Sequence, residues 1–521
     1  MTDSRRDFLK FVVAGSVAAG CPVNLSLLHA ESGPKPQLDG DHFAICHEIR
    51  DGQQFDKPPV SSRHDVVIVG GGISGLSAAY FLRGRDFLLL EKEPHWGGNA
   101  YLQEYQGQAF ATGSAFDEKD TASQQLAHEI GLTELPINSP DPTIVAGKWV
   151  PDTWRDGLDQ LPYSEAARES FKKFRKEIKA LDTDKDVQQL DSVPFSNYMK
   201  GYPSELKQWW DAYGLSNWGA KSEDTSAFVA AEELQYITGD EDPRRTLPGG
   251  NGALSRQLAT TLQPKYGAQM FGDATIVSVD PQKDAVHITY TQAGQLRTVA
   301  AKYVIMATPK FITARLISGL PDAQHEAMMS FRYCPYTVIN MIFDKPIYNR
   351  AYDTWCPGNT FTDFIVADWV LRKQPGHVQK NNILTFYTPI SELHRDRLLT
   401  VDGCQRIAEK VLQDFQKLTP EFAAAEPAEV HMYRRGHPMY LPTPGIFTKV
   451  IPVANQPFGR IAFANTDSVG PVSDVSGAVE AAHHAVEWAE KQMAAPAPST
   501  SPSPAHPHAR PAPKPSAGAT E

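Results

Sequence analysis

The sequence contains little cysteine and, beyond its N-terminal segment, no long run of apolar residues. Its five cysteines among 521 residues form no Cys-x-x-Cys pair and no metal-ligand spacing. A membrane-spanning helix needs about 20 consecutive apolar residues, and no later stretch approaches that length. We therefore expect inert buried thiols, no metal site and no membrane span.

Positive charge is also in short supply. The chain has 50 Lys and Arg against 61 Asp and Glu, a formal net charge of −11. Nucleic acids and anionic bilayers attract basic surfaces, so this balance argues against both as partners. It is compatible with a cationic substrate, although such diffuse charge usually serves solubility. No internal repeat is found.

The most informative segment is a glycine-rich turn. A β-branched apolar run ends in Gly70-x-Gly72-x-x-Gly75, and a helix-like run follows at once. This strand–turn–helix context is what a dinucleotide-binding turn requires. Gly70 permits the tight turn, Gly72 lets the backbone approach a pyrophosphate, and Gly75 allows the helix to pack on the strand. Free N–H groups at the helix start, at Ile73 and Ser74, are predicted to face the phosphates.

A second apolar run, residues 87–90, leads into Glu91 about twenty residues after Gly70. A carboxylate there accepts hydrogen bonds from ribose hydroxyls and repels a 2′-phosphate. We include Glu91 and the adjacent Lys92 among the predicted cofactor contacts. The alternative is a glycine-rich turn in an unrelated α/β protein.

The glycine pair Gly97–Gly98 follows this second strand. With it, the chain resembles the flavin-containing amine oxidoreductase family, to which monoamine and polyamine oxidases belong. In that family the pair lies over the FAD pyrophosphate and is usually flanked by arginines. His95 and Asn99 stand in those positions here, so the resemblance implies that phosphate charge is compensated from elsewhere.

Later segments extend the resemblance to most of the chain: 247–254, 275–279, 303–309 and 459–467. It implies that Val277 contacts the adenine and Asp467 the ribityl–phosphate portion. Backbone N–H groups of Val475 and Ser476 are expected to face the flavin pyrimidine. The implied fold is α/β, a Rossmann-type FAD-binding domain with an interleaved α+β substrate domain.

The predicted domains are interleaved in sequence. The FAD-binding domain takes 64–115, 245–309 and 458–493, and the substrate domain takes 116–244 and 310–457. Residues 31–63 form an N-terminal arm, and the Pro/Ala-rich tail, 494–521, is expected to be disordered.

Four patterns stand out in the substrate domain. Ser164 precedes apolar residues at three- and four-residue steps, which predicts a capped helix. Residues 337–343 alternate like a strand, and a helix is expected near 405–418. The aromatic cluster at 209–213 either packs in a core or lines a substrate tunnel.

The catalytic residues depart from the family pattern. In many amine oxidases a Val-Ile-Lys strand supplies a lysine that holds a water at flavin N5, and Asn340 occupies that position here. It is predicted to orient a water or a substrate carbonyl, or else to serve the sheet. His437 stands near one of two aromatic rings that usually flank the substrate nitrogen. It is a candidate base, with a structural histidine as the alternative. A simple monoamine oxidase is disfavoured.

An acidic group, Glu232, Glu233 and residues 240–242, either attracts a polyamine or forms a solvated surface.

At the N-terminus, Arg5 and Arg6 precede a short apolar run, which is typical of a twin-arginine export signal over residues 1–30. An amphipathic helix is the alternative. Cleavage is expected after Ala30, with lipidation at Cys21 as the alternative. Export would place the protein in the periplasm or outside the cell.

Export also permits a disulfide, for which the candidate pair is Cys334–Cys356.

The predicted function is an exported FAD-dependent oxidoreductase that oxidises a C–N or C–H bond of a small molecule by hydride transfer to flavin. Oxygen or another acceptor and the twin-arginine machinery are the expected partners. The alternatives are a desaturase-like flavoprotein acting on an isoprenoid or porphyrin-type substrate, and a catalytically degenerate FAD-binding accessory protein.

Overall fold

The structure is a computed structural model that describes residues 34–237, 242–379, 381–470 and 473–494. The predicted twin-arginine segment, Cys21 and the Pro/Ala-rich tail from residue 495 onward lie outside the described residues, as do residues 240 and 241 of the acidic group.

The first sheet is built around the strand Val60–Val69. This strand lies between Phe87–Leu90 and Gln295–Met306 and is parallel to both. Alternate residues face opposite sides, as the two-residue period of a strand requires. Val66 and Ile68 pack under helices, whereas Val67 and Val69 pack on the other face. The seven strands are Val60–Val69, Phe87–Leu90, Met270–Phe271, Ala274–Pro281, Val286–Gln292, Gln295–Met306 and Ile461–Phe463.

The second sheet has eight strands and a fully buried central strand, Tyr333–Phe343. One face packs on the helix Val401–Leu418, and the other packs on a group of helices rich in aromatic residues. Its strands are Gln37–Gly40, Thr143–Val145, Lys148–Val150, Tyr333–Phe343, Asp353–Trp355, Asp363–Val366, Asn382–Pro389 and Glu429–Tyr440.

Short strands and helices complete the fold. Two small sheets use the strands Leu102–Tyr105 and Gln108–Ala111, and Asp117–Glu118, Leu135–Pro136 and Arg244–Thr246. The other α-helices are Ala44–Arg50, Ile73–Phe81, Ala122–Glu129, Glu165–Lys179, Val187–Asp191, Ser204–Trp218, Ala227–Ile237, Gly252–Tyr266, Lys310–Leu316, Asp322–Met329, Ile451–Ala454 and Val475–Ala494.

Two features that the sequence predicted in the substrate region are present in the structure. The Ser164 hydroxyl accepts the N–H of Ala167 and caps the helix Glu165–Lys179, whose buried face includes Phe171 and Phe174. The aromatic cluster at 209–213 packs in the core, since Trp209 and Trp210 are buried there. The core-packing alternative is therefore the one observed.

Two expectations need correction. The N-terminal arm does more than lead into the first strand: Gln37–Gly40 pairs in parallel with Glu429–Tyr440 and so belongs to the second sheet. The pairing of Cys334 with Cys356 is wrong, because both are free, buried thiols. The thiol of Cys334 contacts the carbonyl of Pro335, and that of Cys356 the carbonyl of Thr354.

Candidate cofactor and active site

One continuous cavity of about 1050 Å³ is lined by residues of both sheets. On the first sheet its wall includes Val69 and Leu90, the last residues of two parallel strands. On the second sheet its wall includes Tyr336 and Tyr433. Ligands of open α/β sheets bind outside the carboxyl ends of parallel strands, which is where this cavity begins.

The glycine-rich turn has the geometry that its sequence predicts. Gly70 has a φ of +107°, which favours glycine, and a Cβ on Gly75 would lie 1.7 Å from the Gly70 carbonyl oxygen. Gly75 thus keeps helix and strand in contact and does not line the cavity. A Cβ on Gly72 would meet no atom closer than 3.9 Å, which is an ordinary contact distance to Gly97 and Gly98 and requires no displacement of the protein. Gly70, Gly72, Ile73 and Ser74 line the cavity wall.

The wall of this turn offers polar groups to a ligand. The Ser74 hydroxyl is buried and has no hydrogen-bond partner among the described residues. Glu91 accepts the N–H of Gly71 at 2.5 Å and that of Glu93 at 2.8 Å, so its carboxylate is fixed at the cavity edge. Burial raises the pKa of Glu91.

The glycine pair faces this turn. The Gly97 N–H donates to the Gly71 carbonyl at 2.9 Å, and Gly97, Gly98, Lys92 and Asn99 all line the cavity. The amide of Asn99 donates to the carbonyl of Pro438, at 2.8 Å. His95 stacks on Tyr101 with ring centroids 4.0 Å apart.

The helix Val475–Ala494 begins at the same cavity. Val475 lines the wall, as does Asp474, whose carboxylate accepts the N–H of Gly477 at 2.6 Å. Ser476 lies off the wall, where its hydroxyl accepts the N–H of Ala122. A helix start favours negative charge, which suits an electron-rich ligand edge there.

Besides Ser476, two further predicted cofactor contacts lie outside the cavity wall. Val277 does not line it; Thr275 and Ile276 do, because a β-bulge between Ile276 and Ser278 breaks the strand's alternation. Asp467 is fully buried behind the wall, where its Oδ2 accepts the N–H of Lys310 and the hydroxyl of Tyr333, at 2.8 and 2.7 Å.

Asn340 lies outside the cavity, contrary to its predicted place beside a flavin. Its side chain is fully buried; its amide donates to the Ala111 carbonyl at 3.0 Å, and its Oδ1 accepts the Thr385 hydroxyl at 2.5 Å. Tyr336 and Val338, which precede it on the same face of the strand, do reach the cavity. The alternative, a polar residue that serves the sheet, is the arrangement observed.

His437 does line the cavity. Its ring packs on Phe311 with centroids 4.5 Å apart, and burial, together with nearby Arg395, lowers its pKa to about 4. The imidazole is therefore neutral near pH 7. The position of His437 is equally compatible with a catalytic base and with a structural histidine that packs against Phe311.

The cavity has an acidic end, formed by Asp353, Asp363, Glu233, Ser216, Asn217, Tyr336, Trp355 and Tyr387. Of its three carboxylates, only Glu233 was a candidate from the sequence, and Asp353 and Asp363 were missed. Asp353 and Asp363 lie on adjacent strands inside otherwise apolar segments, which was the available signal. Burial raises the pKa of Asp363 to about 7 and that of Glu233 to about 8. Burial and Asp363 together raise the pKa of Asp353 well above its ordinary value.

Glu233 corrects the solvated-surface interpretation of the acidic group, since it lines the cavity. Its carboxylate accepts the Tyr213 hydroxyl at 3.3 Å. Asp242 instead pairs with Arg244 at 2.8 Å, outside the cavity wall. Of these two members of the acidic group, Glu233 therefore lines the cavity, and Asp242 belongs to a structural ion pair.

The family model described as flavin containing amine oxidoreductase matches residues 73–487. The chain belongs to this family. This confirms the resemblance drawn from the glycine motifs, and it makes FAD the cofactor of a flavin-dependent oxidoreductase.

Several named proteins are similar to this chain in sequence. The oxidoreductase PigB of Serratia sp. is 27% identical over 49% of this chain, and protoporphyrinogen oxidase 1 of Spinacia oleracea is 25% identical over 54%. The matched regions span only 39% and 56% of those two relatives. Human amine oxidase B is 23% identical over 82% of this chain and 86% of its own length.

Solved structures of the family share the fold. Cyclohexylamine oxidase from Brevibacterium oxydans superposes with a TM-score of 0.67 at 18% identity, covering 82% of this chain and 99% of that one. A double mutant of putrescine oxidase superposes with a TM-score of 0.66, also at 18% identity, covering 83% and 100%. The predicted α/β fold with a Rossmann-type FAD-binding unit is thus confirmed.

The residues present fit FAD. Gly72 lines the cavity without a side chain that would block a pyrophosphate, and the Ser74 hydroxyl beside it has no hydrogen-bond partner among the described residues. Glu91 lines the same cavity after the second strand, as an acid that accepts ribose hydroxyls does in a dinucleotide-binding fold. None of the helices in the described part of the chain is both long and apolar enough to cross a bilayer.

Proposed function

We propose that this protein oxidises a C–N bond of a small cationic amine, transferring a hydride to FAD. The observation that carries the proposal is the acidic end of the cavity. It is continuous with the dinucleotide turn, so that a substrate held by carboxylates lies in the same space as the cofactor.

The acidic end is built to receive a cation. Oδ1 of Asp353 is buried with no hydrogen-bond partner among the described residues, and Asp363 is as deeply buried. Buried carboxylates are costly unless a positive charge compensates them. Among the described residues, no lysine or arginine forms an ion pair with Asp353, Asp363 or Glu233.

The basic residue that acts on Asp353 is already engaged elsewhere. Arg244 pairs with Asp141 at 3.1 Å and with Asp242 at 2.8 Å, and it does not line the cavity. An ammonium group is therefore the group that this end lacks. Binding of an ammonium would draw the raised pKa of Asp363 downward by favouring its charged form.

Aromatic side chains frame the carboxylates. Tyr336 and Tyr387 meet edge to face with centroids 6.3 Å apart, and Trp355 follows Asp353 on the same strand. Such rings exclude water and attract cations through their faces. Substrate orientation is thus supplied by carboxylates at one point and aromatic surface around it.

The chemistry divides between cofactor and protein. FAD, when bound, would supply the two-electron acceptor for a hydride from the carbon next to nitrogen, so that a neutral amine becomes an iminium ion. The protein must orient the amine and take up the proton that an ammonium loses before oxidation. Asp363 and Glu233, with pKa values of about 7 and 8, are matched to hold that proton near neutral pH.

Names of relatives support an amine substrate without identifying it. Cyclohexylamine oxidase and putrescine oxidase share the fold, and human amine oxidase B aligns over most of the chain. The spinach protoporphyrinogen oxidase supports the competing hypothesis of a porphyrin-type substrate. A porphyrin-type substrate carries propionate carboxylates and no ammonium group, so the carboxylates of the cavity would repel it, which favours the amine.

Anaerobic stopped-flow mixing tests the proposal through bleaching of the flavin absorbance. We expect bleaching by monoamines or diamines and none by protoporphyrinogen. Asp353→Asn and Asp363→Asn should raise the amine concentration for half-maximal bleaching about tenfold or more while flavin content stays constant. Asp284→Asn, at an exposed turn position, is the control.

Other outcomes contradict the proposal. Bleaching by protoporphyrinogen alone would support the desaturase-like alternative, and the absence of bleaching by any reductant would support an accessory role.

The electron acceptor is identified by how the reduced flavin is reoxidised. Reoxidation in air with release of peroxide would identify oxygen as the acceptor. Reoxidation only by an added quinone or dye would identify a dehydrogenase.

We also propose that the protein is exported by the twin-arginine route, supported by Arg5, Arg6 and the apolar run after them. This route carries folded proteins, so FAD can be inserted before export. Replacing both arginines by lysine should shift flavoprotein from the periplasm to the cytoplasm in fractionated cells. An unchanged distribution would contradict export by this route.

A further inference from the structure

A buried guanidinium lies beside the glycine pair that faces the dinucleotide turn. Arg435 is 6% exposed and lines the cavity. Its Nη1 donates to the Thr112 carbonyl at 2.5 Å, and its Nη2 lies 3.2 Å from the Thr112 hydroxyl and 3.5 Å from the Gly98 carbonyl. All three acceptors are neutral.

No described carboxylate forms an ion pair with Arg435. Asp41 and Asp39 act on it only at longer range, and both have other partners. Asp41 accepts the Gly436 N–H at 2.9 Å, and Asp39 accepts the Gln103 amide at 3.2 Å. A buried cation without a counterion is costly, and a ligand anion is the natural partner in a cavity wall.

The position of Arg435 indicates which anion it meets. Gly98 packs against the dinucleotide turn, since a Cβ on it would lie 3.2 Å from the Gly72 Cα. Gly72 directly precedes the helix Ile73–Phe81, and the first two residues of this helix line the cavity. Such a helix start is where phosphates are bound by backbone N–H groups. The guanidinium and the helix start thus converge on one region from opposite sheets.

Other polar side chains near this turn carry no free positive charge. Lys92 is held by Glu93 and lies 3.9 Å from Asp41. Burial lowers the pKa of His95, and Asn99 is neutral. Neither flanking position therefore supplies a cation at neutral pH.

We infer that Arg435 is the counterion of the FAD pyrophosphate, contributed by the strand Glu429–Tyr440 of the second sheet. The inference rests on FAD as the cofactor and not on the amine substrate. It also implies that cofactor binding ties the two sheets together, because the glycine turn and Arg435 belong to different ones.

The test measures affinity of the full chain, stripped of flavin, for FAD, ADP and riboflavin. Arg435→Gln should weaken binding of FAD and of ADP by a similar factor, about tenfold to a hundredfold, and leave riboflavin binding unchanged. Arg435→Lys, which retains the charge, should recover most of the loss. Arg406→Gln, with an exposed side chain, is the control.

The three ligands separate the competing roles. Equal weakening of FAD and riboflavin, with ADP unchanged, would place Arg435 at the flavin ring and overturn the inference. Unchanged binding of all three, with a higher KM for a carboxylate-bearing substrate, would make it a substrate residue. If Arg435→Gln fails to fold, the Lys variant decides: an ADP affinity within severalfold of wild type supports the inference, and a hundredfold loss contradicts a role as simple counterion. Failure of every amine to bleach the flavin would leave these affinities unaffected.

Discussion

The hydroxyl of Ser216 donates to Oδ1 of Asp363, 2.6 Å away, and the hydroxyl of Thr362 donates to the same atom, also at 2.6 Å. These two bonds hold a buried carboxylate in one orientation at the acidic end of the cavity. They favour its charged form, yet burial outweighs them and raises the pKa of Asp363 to about 7.

The first prediction concerns Asp363 and stability. An unfolded Asp titrates near pH 3.9, so the native state binds more protons between about pH 4 and 7. The free energy of unfolding therefore falls as pH rises through this window. Asp363→Asn should remove the loss, gaining on the order of 1 kcal/mol or more over wild type at pH 8 and little at pH 4.

Denaturant unfolding of substrate-free protein at both pH values measures this difference. Asp284→Asn, at an exposed site, should show no such pH dependence. A variant less stable than wild type at pH 8 would show that Asp363 is compensated within the protein, which would contradict its role in binding a cation.

The second prediction concerns Gly72. Gly72 lines the cavity at the place that we assign to the pyrophosphate. Gly72→Val should abolish FAD retention while the chain still folds, because the new side chain fills the ligand's place. Flavin absorbance per mole of purified protein is the measurement. Gly267→Ala, where a Cβ meets nothing, should retain full flavin.

The third prediction concerns Asn340. Its hydrogen bonds to Ala111 and Thr385 are buried, so Asn340→Ala leaves both partners unsatisfied. We expect a loss of about 1–3 kcal/mol in unfolding free energy and unchanged rates of flavin reoxidation. Thr385→Val should cause a similar loss. If Asn340→Ala instead changed the rate of flavin reoxidation without loss of unfolding free energy, Asn340 would have a role in the active site.

The fourth prediction separates His437 from the carboxylates in the pH profile. Burial and Arg395 lower the pKa of His437 to about 4, so the ring stays neutral through the range where Asp363 and Glu233 titrate. An inflection in kcat/KM near pH 7 should survive His437→Gln and disappear in Asp363→Asn. The reverse pattern would identify His437 as the base.

The fifth prediction concerns the N-terminal arm, which forms part of the cavity wall. Asp41 accepts the Gly436 N–H at 2.9 Å, and the His42 N–H donates to Glu93 at 3.0 Å. Removing residues 31–50 should speed FAD release about tenfold, since these contacts close one side of the cavity. Fluorescence of the released flavin reports the rate. Release at the wild-type rate would show that the arm is not a closure.

Much of the cofactor site followed from the sequence because its signals are local. A glycine with positive φ at Gly70, a close approach at Gly75 and an acid after the second strand are set by neighbouring residues. The helix capped by Ser164 and the buried strand around residue 340 were predictable for the same reason, since period and capping need no distant partner.

Side-chain destinations were less predictable. Asn340 lies on the buried strand that its sequence pattern predicts, but its hydrogen bonds to the Ala111 carbonyl and the Thr385 hydroxyl hold its side chain outside the cavity. Asp467 is likewise taken by Lys310 and Tyr333, and a bulge displaces Val277. Each outcome depends on partners far along the chain.

The sequence by itself determined the dinucleotide turn, the family and the cofactor, because glycine spacing constrains the backbone wherever it occurs. Only the tertiary structure decided what surrounds that cofactor. It brought Asp353, Asp363 and Glu233 to one end of the cavity and Arg435 to the glycine pair. The role of a charged side chain depends on the residues that bury it and on the charged groups that face it. Here those residues come from segments far apart in the sequence, so the sequence alone does not bring them together.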